Sequence, residues 1–155
     1  MRNLVYWWIF FWLQLIGYAI AGVFGVFGMT YHADITFISF AIIALHLLTS
    51  AWVGWVTSKV AANSSYEPSL DSGWFMSEAC MMLGMIGTIV GFIYTLVTTL
   101  GSMGSVDPVV LQRVINDLAK GIGTAGWTTL YGLVASLSIK FQMNNLEVLY
   151  DRKER

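Results

Sequence analysis

The sequence has few of the charged residues that cover the surface of a soluble protein. Only 11% of its 155 residues are Asp, Glu, Lys or Arg, whereas 57% are hydrophobic. A chain of this composition has too little polar side-chain surface to enclose a soluble core. The composition therefore predicts an integral membrane protein that uses the lipid bilayer as its solvent.

Other scarcities exclude particular kinds of site. The single cysteine, Cys80, has no partner for a disulfide bond within the chain, and no cluster of Cys and His is present for a structural metal. The formal net charge is −1, and there is no basic stripe to follow a nucleic-acid backbone. A Ser/His/Asp set and a phosphate-binding loop are also lacking. We therefore expect no enzyme activity, catalytic residue, cofactor, metal site or nucleic-acid partner.

Four apolar segments are long enough to cross a membrane, since a helix needs roughly 20 residues to span a hydrocarbon core about 30 Å thick. Their approximate limits are residues 5–29, 35–56, 74–100 and 121–139. A short outer turn joins the first two segments, and its His32 and Asp34 are expected to be solvated. The sequence thus predicts an all-α integral membrane protein with four transmembrane helices in two hairpins.

These segments define the organisation of the chain. Residues 1–56 are an N-terminal transmembrane hairpin, 57–73 a polar cytoplasmic loop, 74–141 a second hairpin and 142–155 a cytoplasmic tail. Within the second hairpin, Asp107 and Pro108 suit the start of a helix, and apolar residues at helical spacing follow them. A short amphipathic helix is therefore expected at about 107–120.

The first segment also has features of a cleavable signal peptide, because Arg2 precedes the apolar run and residues 19–21 (Ala-Ile-Ala) fit a small-x-small cleavage site. The apolar character continues beyond that site without a break, whereas a mature sequence normally becomes polar. We therefore expect the first span to be retained.

The basic residues predict the orientation, because Lys and Arg are enriched in cytoplasmic segments. Six of the basic residues fall on one side of the predicted membrane, namely Arg2, Lys59, Lys140, Arg152, Lys153 and Arg155. Only Arg113 and Lys120 fall on the other side. Both termini are therefore expected in the cytoplasm.

Small and hydroxyl residues form a line on each of the last two spans, at about 100° per residue. The lines are Ser77, Gly84, Thr88, Gly91, Thr95 and Thr99, and Gly121, Ala125, Thr128, Thr129, Gly132 and Ser136. Such lines let helices approach closely, and they also suit a pore wall. Close packing is the plainer interpretation, and periodicity does not distinguish the two. The middle of either span has no Asp, Glu, Lys or Arg, since Glu78 lies near an end.

Two stretches of these spans resemble a known family. Residues 83–91, LGMIGTIVG, resemble the LGLLGTVxG segment of the MotA/TolQ/ExbB proton channel proteins. Residues 117–135, DLAKGIGTAGWTTLYGLVA, look like that family's GI-x-x-AL-x-TT-x-x-GL-x-A helix. The resemblance covers about the last half of the chain, and the hairpin before it is like the flagellar-stator branch. The chain is thus identified as a small four-span member of the family.

The resemblance implies a homopentameric ring around a dimer of single-span partners of the MotB/ExbD/TolR type. The implied function is the stator-like channel subunit of an ion-motive-force-driven motor in the bacterial inner membrane. A carboxylate on the partner would titrate as protons cross, which fits the lack of an acid in the middle of these spans. The alternative is a small holin-like pore or membrane scaffold without proton coupling.

Site residues follow from the motif alignment and from the two lines. The expected ion-pathway residues are Thr88, Thr129, Thr95 and Ser136, and the expected helix-packing residues are Gly84, Gly87, Gly91, Gly121, Ala125 and Gly132. The chain departs from the family pattern in two places, with Cys80-Met81 where many members have Ala-Pro and Thr124 where some carry an acid. Outside the motifs, His46 in the second span is expected to hydrogen-bond across helices rather than to relay protons.

Overall fold

The computed structural model describes residues 2–34, 36–62, 66–101 and 108–154. They form five α-helices, namely α1 (Arg2–Val23), α2 (Val26–Ala33), α3 (Ile38–Ala62), α4 (Leu70–Gly101) and α5 (Pro108–Glu154). These described ranges contain no strand, so the predicted all-α class is confirmed. Asp107, which the sequence places at the start of a helix, lies outside the described residues.

Three of the described helices are long and apolar enough to cross a membrane, and the crossing segments are Leu4–Val23, Ile38–Ala62 and Leu70–Gly101. The chain is therefore a multi-pass membrane protein. The predicted fourth span, residues 121–139, lies within α5, which is not among those three. Its Gly, Ser, Thr, Trp and Tyr residues dilute the apolar ones, so its crossing stays a prediction.

The first predicted span is broken near its C-terminal end. Helix α1 ends at Val23, and α2 begins at Val26 after Gly25, whose φ is 70°. This left-handed conformation costs glycine little because it has no Cβ. The apolar run to Met29 therefore bends at Gly25 instead of continuing as one straight helix.

Asp34 is buried against the start of α3, with only 6% of its surface exposed. Its Oδ2 accepts a hydrogen bond from the Ser39 amide at 2.7 Å, and its Oδ1 accepts from the Thr36 amide at 3.1 Å and hydroxyl at 2.6 Å. Burial raises the pKa of Asp34, but these hydrogen bonds outweigh it and leave the pKa below its ordinary value. The expectation of a solvated Asp34 was wrong, because the carboxylate satisfies backbone donors at the helix start.

The connection between the two hairpins is shorter than the predicted loop of residues 57–73. Helix α3 continues to Ala62, and α4 already begins at Leu70. Thr57 and Val60 are fully buried, since their exposed fractions are 0% and 1%. The polar composition predicted a loop in water here, but about half of residues 57–73 lie in helices α3 and α4.

Helix α5 has 47 residues, so it is about 70 Å long, more than twice the ~30 Å thickness of a hydrocarbon core. It runs without a break through the predicted amphipathic helix, the fourth span and most of the predicted tail. Met143 and Leu146 in that tail are fully buried. Residues 142–154 thus continue α5 as a helix, and their location in the cytoplasm stays a prediction.

The core lies where α4 and α5 run antiparallel and α3 covers both helices. Its buried apolar residues are Trp7, Ile42, Val53, Val56, Val60, Cys80, Ala135, Ile139, Met143 and Leu146. Trp7 fixes α1 to α3, since its indole N–H donates to the Ser50 carbonyl oxygen at 3.2 Å. Elsewhere α1 is mostly exposed, with only 6% of its apolar window buried. Helices α3, α4 and α5 therefore form a tight unit, with α1 on its outside.

Candidate functional site: the hydroxyl cluster between α4 and α5

Glycines bring the backbones of α4 and α5 together at the predicted motif positions. A Cβ added to Gly132 would lie 2.7 Å from the Cys80 carbonyl oxygen and 2.9 Å from the Gly84 Cα. A Cβ added to Gly84 would lie 2.9 Å from the Thr128 carbonyl oxygen and 3.0 Å from the Gly132 Cα. Real Cβ atoms essentially never show contacts under 3.0 Å. This contact therefore needs two residues without side chains.

The same face continues toward the C-terminal end of α4. A Cβ on Gly87 would lie 3.0 Å from the Thr128 Cβ, and one on Gly91 would lie 3.3 Å from the Ala125 Cβ. A Cβ on Gly121 would overlap the side chain of Thr95. All six residues expected to pack the helices therefore lie at the interface between α4 and α5.

Thr88 is the centre of a hydroxyl cluster at this interface. Its Oγ1 lies 2.9 Å from the Ala125 carbonyl oxygen, 3.1 Å from the Gly84 carbonyl oxygen and 3.2 Å from the Thr128 hydroxyl. It also contacts the hydroxyl of Thr129 directly. The two threonines predicted from the motifs are therefore neighbours across the helix pair.

The threonine hydroxyl groups of the cluster have more hydrogen-bond acceptors within reach than they have protons to donate. Each threonine hydroxyl has one proton to donate and two lone pairs to accept with. Thr88 has carbonyl acceptors on both helices within reach, and the Thr129 hydroxyl lies 3.4 Å from the Gly84 carbonyl oxygen. Thr128 instead donates to the Ala125 carbonyl oxygen at 2.7 Å. A rotation of the Thr88 or Thr129 hydroxyl can thus exchange one partner for another.

The other two expected pathway residues lie away from this cluster. Thr95 and Ser136 are each seven residues, about 10 Å, along their helices from Thr88 and Thr129. The Thr95 hydroxyl donates to the Gly91 carbonyl oxygen at 2.9 Å. The four residues therefore lie at successive positions along the interface and do not form one site.

Ser136 is bonded to Ser77 at the end of the interface nearer the chain termini. The Ser77 hydroxyl lies 3.0 Å from both the Ser136 hydroxyl and the Ser136 carbonyl oxygen. Their exposed fractions are 0% and 4%. The predicted pathway set omitted Ser77 and Thr128, although both belong to the hydroxyl lines read from the sequence.

The cluster holds no charge of its own. From residue 79 to 101 on α4 and from 121 to 139 on α5, the sequence contains no Asp, Glu, Lys or Arg. Hydroxyl groups of Thr and Ser donate and accept hydrogen bonds but do not titrate near neutral pH. A carboxylate at the hydroxyl cluster must therefore come from outside these two segments.

A second polar cluster joins α1, α3 and α5, and sequence reasoning missed it. The Gln14 amide nitrogen donates to the Ser138 hydroxyl at 2.6 Å. The Ser50 hydroxyl lies 3.2 Å from the Gln14 amide oxygen and 3.0 Å from that of Gln142. The Gln142 amide nitrogen is buried and has no hydrogen-bond partner among the described residues. The sequence offers only a polar residue within each apolar segment, and this pattern does not show which of these residues contact one another.

His46 makes the cross-helix contact that was expected of it. Its Nδ1 lies 2.7 Å from the Tyr18 hydroxyl on α1, and 1% of its surface is exposed. It lies on α3, away from the interface between α4 and α5. His46 therefore joins α1 to α3 and takes no part in the hydroxyl cluster.

Comparison with known proteins decides the family. The family model described as MotA/TolQ/ExbB proton channel family matches residues 63–155, which is more than half of the chain. The chain belongs to the MotA/TolQ/ExbB proton channel family. This match covers α4, α5 and the connection before α4, and so includes the whole hydroxyl cluster. The comparisons found no matching curated protein and no matching solved structure.

Membership in the MotA/TolQ/ExbB family sets the broad activity. It is a family of proton-conducting membrane channels and not an enzyme class, and its members are membrane oligomers that work with single-span partners. The suspected family is confirmed by the match. Residues 1–62, which contain α1, α2 and α3, lie outside it.

Proposed function

We propose that this chain is the stator-like channel subunit of a motor driven by an ion-motive force. Five copies form a ring around a dimer of single-span partners of the MotB/ExbD/TolR type, and protons cross where the ring meets a partner carboxylate. The observation that carries the proposal is the contact of Thr88 with Thr129. These two residues come from separate family motifs, and the helix segments around them, residues 79–101 of α4 and 121–139 of α5, contain no acid.

The chemistry assigns different tasks to the two proteins. The partner carboxylate takes up a proton on one side and releases it on the other, so it alternates between a charged acceptor and a neutral donor. Thr88 and Thr129 serve both forms, because a hydroxyl donates to a carboxylate and accepts from a carboxylic acid. One elementary charge crossing 100 mV releases about 2.3 kcal/mol, so several protons together can drive a mechanical step.

The exposed surface of the single chain supports assembly into a ring. Helix α4 exposes Ile86, Ile89 and Ile93 by half or more of their surface, and α5 exposes Leu130 and Leu133 almost as far. Large apolar faces on both sides of one helix pair suit contacts with lipid, with neighbouring subunits and with a central partner. The homopentamer itself is part of the proposal.

The topology completes the proposal. Residues 121–139 of α5 form the fourth span, and both termini face the cytoplasm of a bacterial inner membrane, as the distribution of Lys and Arg predicts. The fold is compatible, because Tyr6 of α1 and Arg152 of α5 line the same small cavity and thus lie at the same end of the bundle.

Proton flux into liposomes tests the proposal. The chain is reconstituted with any single-span membrane protein that is encoded beside it, and a pH-sensitive dye reports flux after a potential is applied. Thr88→Val and Thr129→Val should each reduce flux about tenfold or more, because a hydrogen bond to a charged group is worth about 1.5–3 kcal/mol.

The matched control is Thr98→Val on the same helix. Thr98 is exposed, and its hydroxyl bonds to carbonyl oxygens of its own helix at 2.9 and 3.2 Å. This variant should keep the flux of the unaltered chain. Equal flux through all three variants would contradict the proposal, and flux that needs no partner would favour a holin-like pore.

A further inference from the structure

Tyr131 lies within the second family motif on α5, and its side chain contacts the N-terminal part of the chain. Its hydroxyl oxygen lies 3.1 Å from the hydroxyl oxygen of Thr30 on α2. The Thr30 hydroxyl donates its single proton to the Val26 carbonyl oxygen at 2.8 Å, so Tyr131 is the donor in the bond between the two side chains. Thr30 is fully buried, with 0% of its surface exposed. A direct hydrogen bond therefore joins α2 to the helix that carries Thr128 and Thr129.

The position of α2 is fixed at both of its ends. At its start, Gly25 has a φ of 70°, which turns the chain between α1 and α2. At its end, the Asp34 amide donates to the Thr30 carbonyl oxygen at 2.7 Å, and the Asp34 carboxylate accepts from the Ser39 amide at the start of α3. Thr30 therefore lies in a segment that can serve as a fixed support for Tyr131.

Tyr131 and Thr129 lie on opposite sides of α5, because two residues at about 100° each are about 200° apart around a helix. Thr129 faces Thr88 on α4, and Tyr131 faces Thr30 on α2. The turn of α5 that carries the hydroxyl cluster is therefore held from two sides. Contacts on opposite sides of a helix resist its rotation about its own axis.

The hydroxyl cluster is sensitive to such a rotation. The Thr88 hydroxyl lies 3.2 Å from the hydroxyl of Thr128 and contacts that of Thr129, and these two residues are about 100° apart around α5. A helix with its side chains has a radius of about 5–6 Å, so a rotation of about 20° moves a hydroxyl at its surface by about 2 Å. A shift of this size breaks one of the two contacts, because hydrogen bonds between hydroxyl groups span only about 2.5–3.0 Å.

We propose that the hydrogen bond from Tyr131 to Thr30 sets the rotation of α5 and thereby places Thr129 against Thr88. Tyr131 and Thr30 act through the backbone of the helix, so they are positioning residues and not part of the ion pathway. Thr30 lies outside residues 63–155, which match the family model, so the bond gives the N-terminal hairpin a task that the match does not assign. The consequence for conduction rests on the proposed function of the cluster, whereas the geometry does not.

Nuclear magnetic resonance of isotope-labelled threonine methyl groups reports this geometry without reference to proton flux. The full-length protein is measured in detergent, and the signal of Thr88 is assigned by substitution. Thr30→Val removes the acceptor hydroxyl and keeps the shape of the side chain, while Tyr131→Phe removes the donor and keeps the ring. Each variant should shift the Thr88 signal in the same direction, and the double variant should shift it no further, because both changes break one bond. Thr30→Ser keeps the hydroxyl and should leave the Thr88 signal in place.

Tyr18→Phe is the matched control for Tyr131→Phe. It also removes one tyrosine hydroxyl, but the partner of that hydroxyl is the Nδ1 of His46 on α3, at 2.7 Å. This variant should leave the Thr88 signal unchanged although it loses a hydrogen bond of the same kind. An equal shift of the Thr88 signal in Tyr18→Phe would overturn the proposal, because the cluster would then respond to any weakening of the bundle.

Proton flux into liposomes then tests the consequence for conduction. Thr30→Val and Tyr131→Phe should each lower the flux about fivefold, the effect of losing one neutral hydrogen bond of about 1 kcal/mol, and Thr30→Ser should keep it. An unchanged Thr88 signal in Thr30→Val would overturn the positioning role whatever the flux. A shifted Thr88 signal with unchanged flux would support the positioning role and would contradict the proposed ion pathway instead.

Discussion

Replacing Gly132 by alanine tests the close contact of α4 with α5 through a single added methyl group. That methyl would lie 2.7 Å from the Cys80 carbonyl oxygen and 2.9 Å from the Gly84 Cα. Both are backbone atoms, so no side-chain rotation relieves the overlap. The two helices must separate locally by about 0.7 Å, the difference between 2.7 Å and the 3.4 Å at which ordinary van der Waals contact begins.

The expected cost follows from two opposing terms. Overpacking a tight interface costs typically 1–3 kcal/mol. Alanine also favours the helix over glycine by up to about 1 kcal/mol, which offsets part of that cost. Gly126→Ala on the same helix isolates the second term, because a Cβ there meets nothing within 4 Å. The difference in free energy of unfolding between the two variants should therefore be about 1–3 kcal/mol.

The assay is unfolding of the detergent-solubilised protein by added dodecyl sulfate, followed by near-ultraviolet circular dichroism. Gly132→Ala should unfold at a lower detergent fraction than the unaltered chain, and Gly126→Ala at the same or a higher fraction. Equal stability of the two variants would refute the reasoning, because the helices would then not need two side-chain-free residues at this contact.

Three other predictions concern the polar contacts outside the hydroxyl cluster. Asp34→Asn should lower the free energy of unfolding at pH 7 by about 1 kcal/mol, because charged hydrogen bonds are stronger than neutral ones. The lowered pKa of Asp34 adds a pH signature: its stabilisation is complete above the ordinary pKa of about 4 and is lost as the pH falls below it. Ser50→Ala should cost about 1–3 kcal/mol, since it removes the described hydroxyl partner of the buried Gln142 amide. Tyr18→Phe should cost about 1 kcal/mol and shift the nitrogen resonances of His46, whose Nδ1 loses its partner.

A different result would contradict each of these three predictions. Parallel pH profiles of the unaltered chain and Asp34→Asn would show that the carboxylate is not held as described. Unfolding of Ser50→Ala at the normal detergent fraction would mean that Gln142 finds another partner. An unchanged His46 spectrum in Tyr18→Phe would contradict the hydrogen bond between Tyr18 and His46.

Membrane character and the pairing of α4 with α5 follow from sequence because each depends on a repeated local pattern. Apolar length predicts the crossing helices Ile38–Ala62 and Leu70–Gly101, although the first extends beyond its predicted span at the C-terminal end and the second extends beyond its span at both ends. Glycine and threonine at helical spacing predict one face on each helix, and the motif order brings Thr88 near Thr129. Periodicity could not say how much of that face lines a path for ions.

Other features depend on contacts between distant residues and left no local signal. Residues 17, 22, 25 and 28 are all glycine, yet only Gly25 adopts a positive φ among the described glycines. Asp34 stands in a polar turn, and only the fold shows that it bonds to the start of α3. The charged end of α5 suggested a solvated tail, but Met143 and Leu146 are buried against the rest of the bundle.

The central claim is that this chain forms a channel ring that works with a single-span partner. Native mass spectrometry of the detergent-purified protein, with and without any co-encoded single-span membrane protein, tests it most directly. The account predicts five copies of this chain bound to two copies of the partner. A stable monomer or dimer, or an open-ended series of oligomers that ignores the partner, would contradict it.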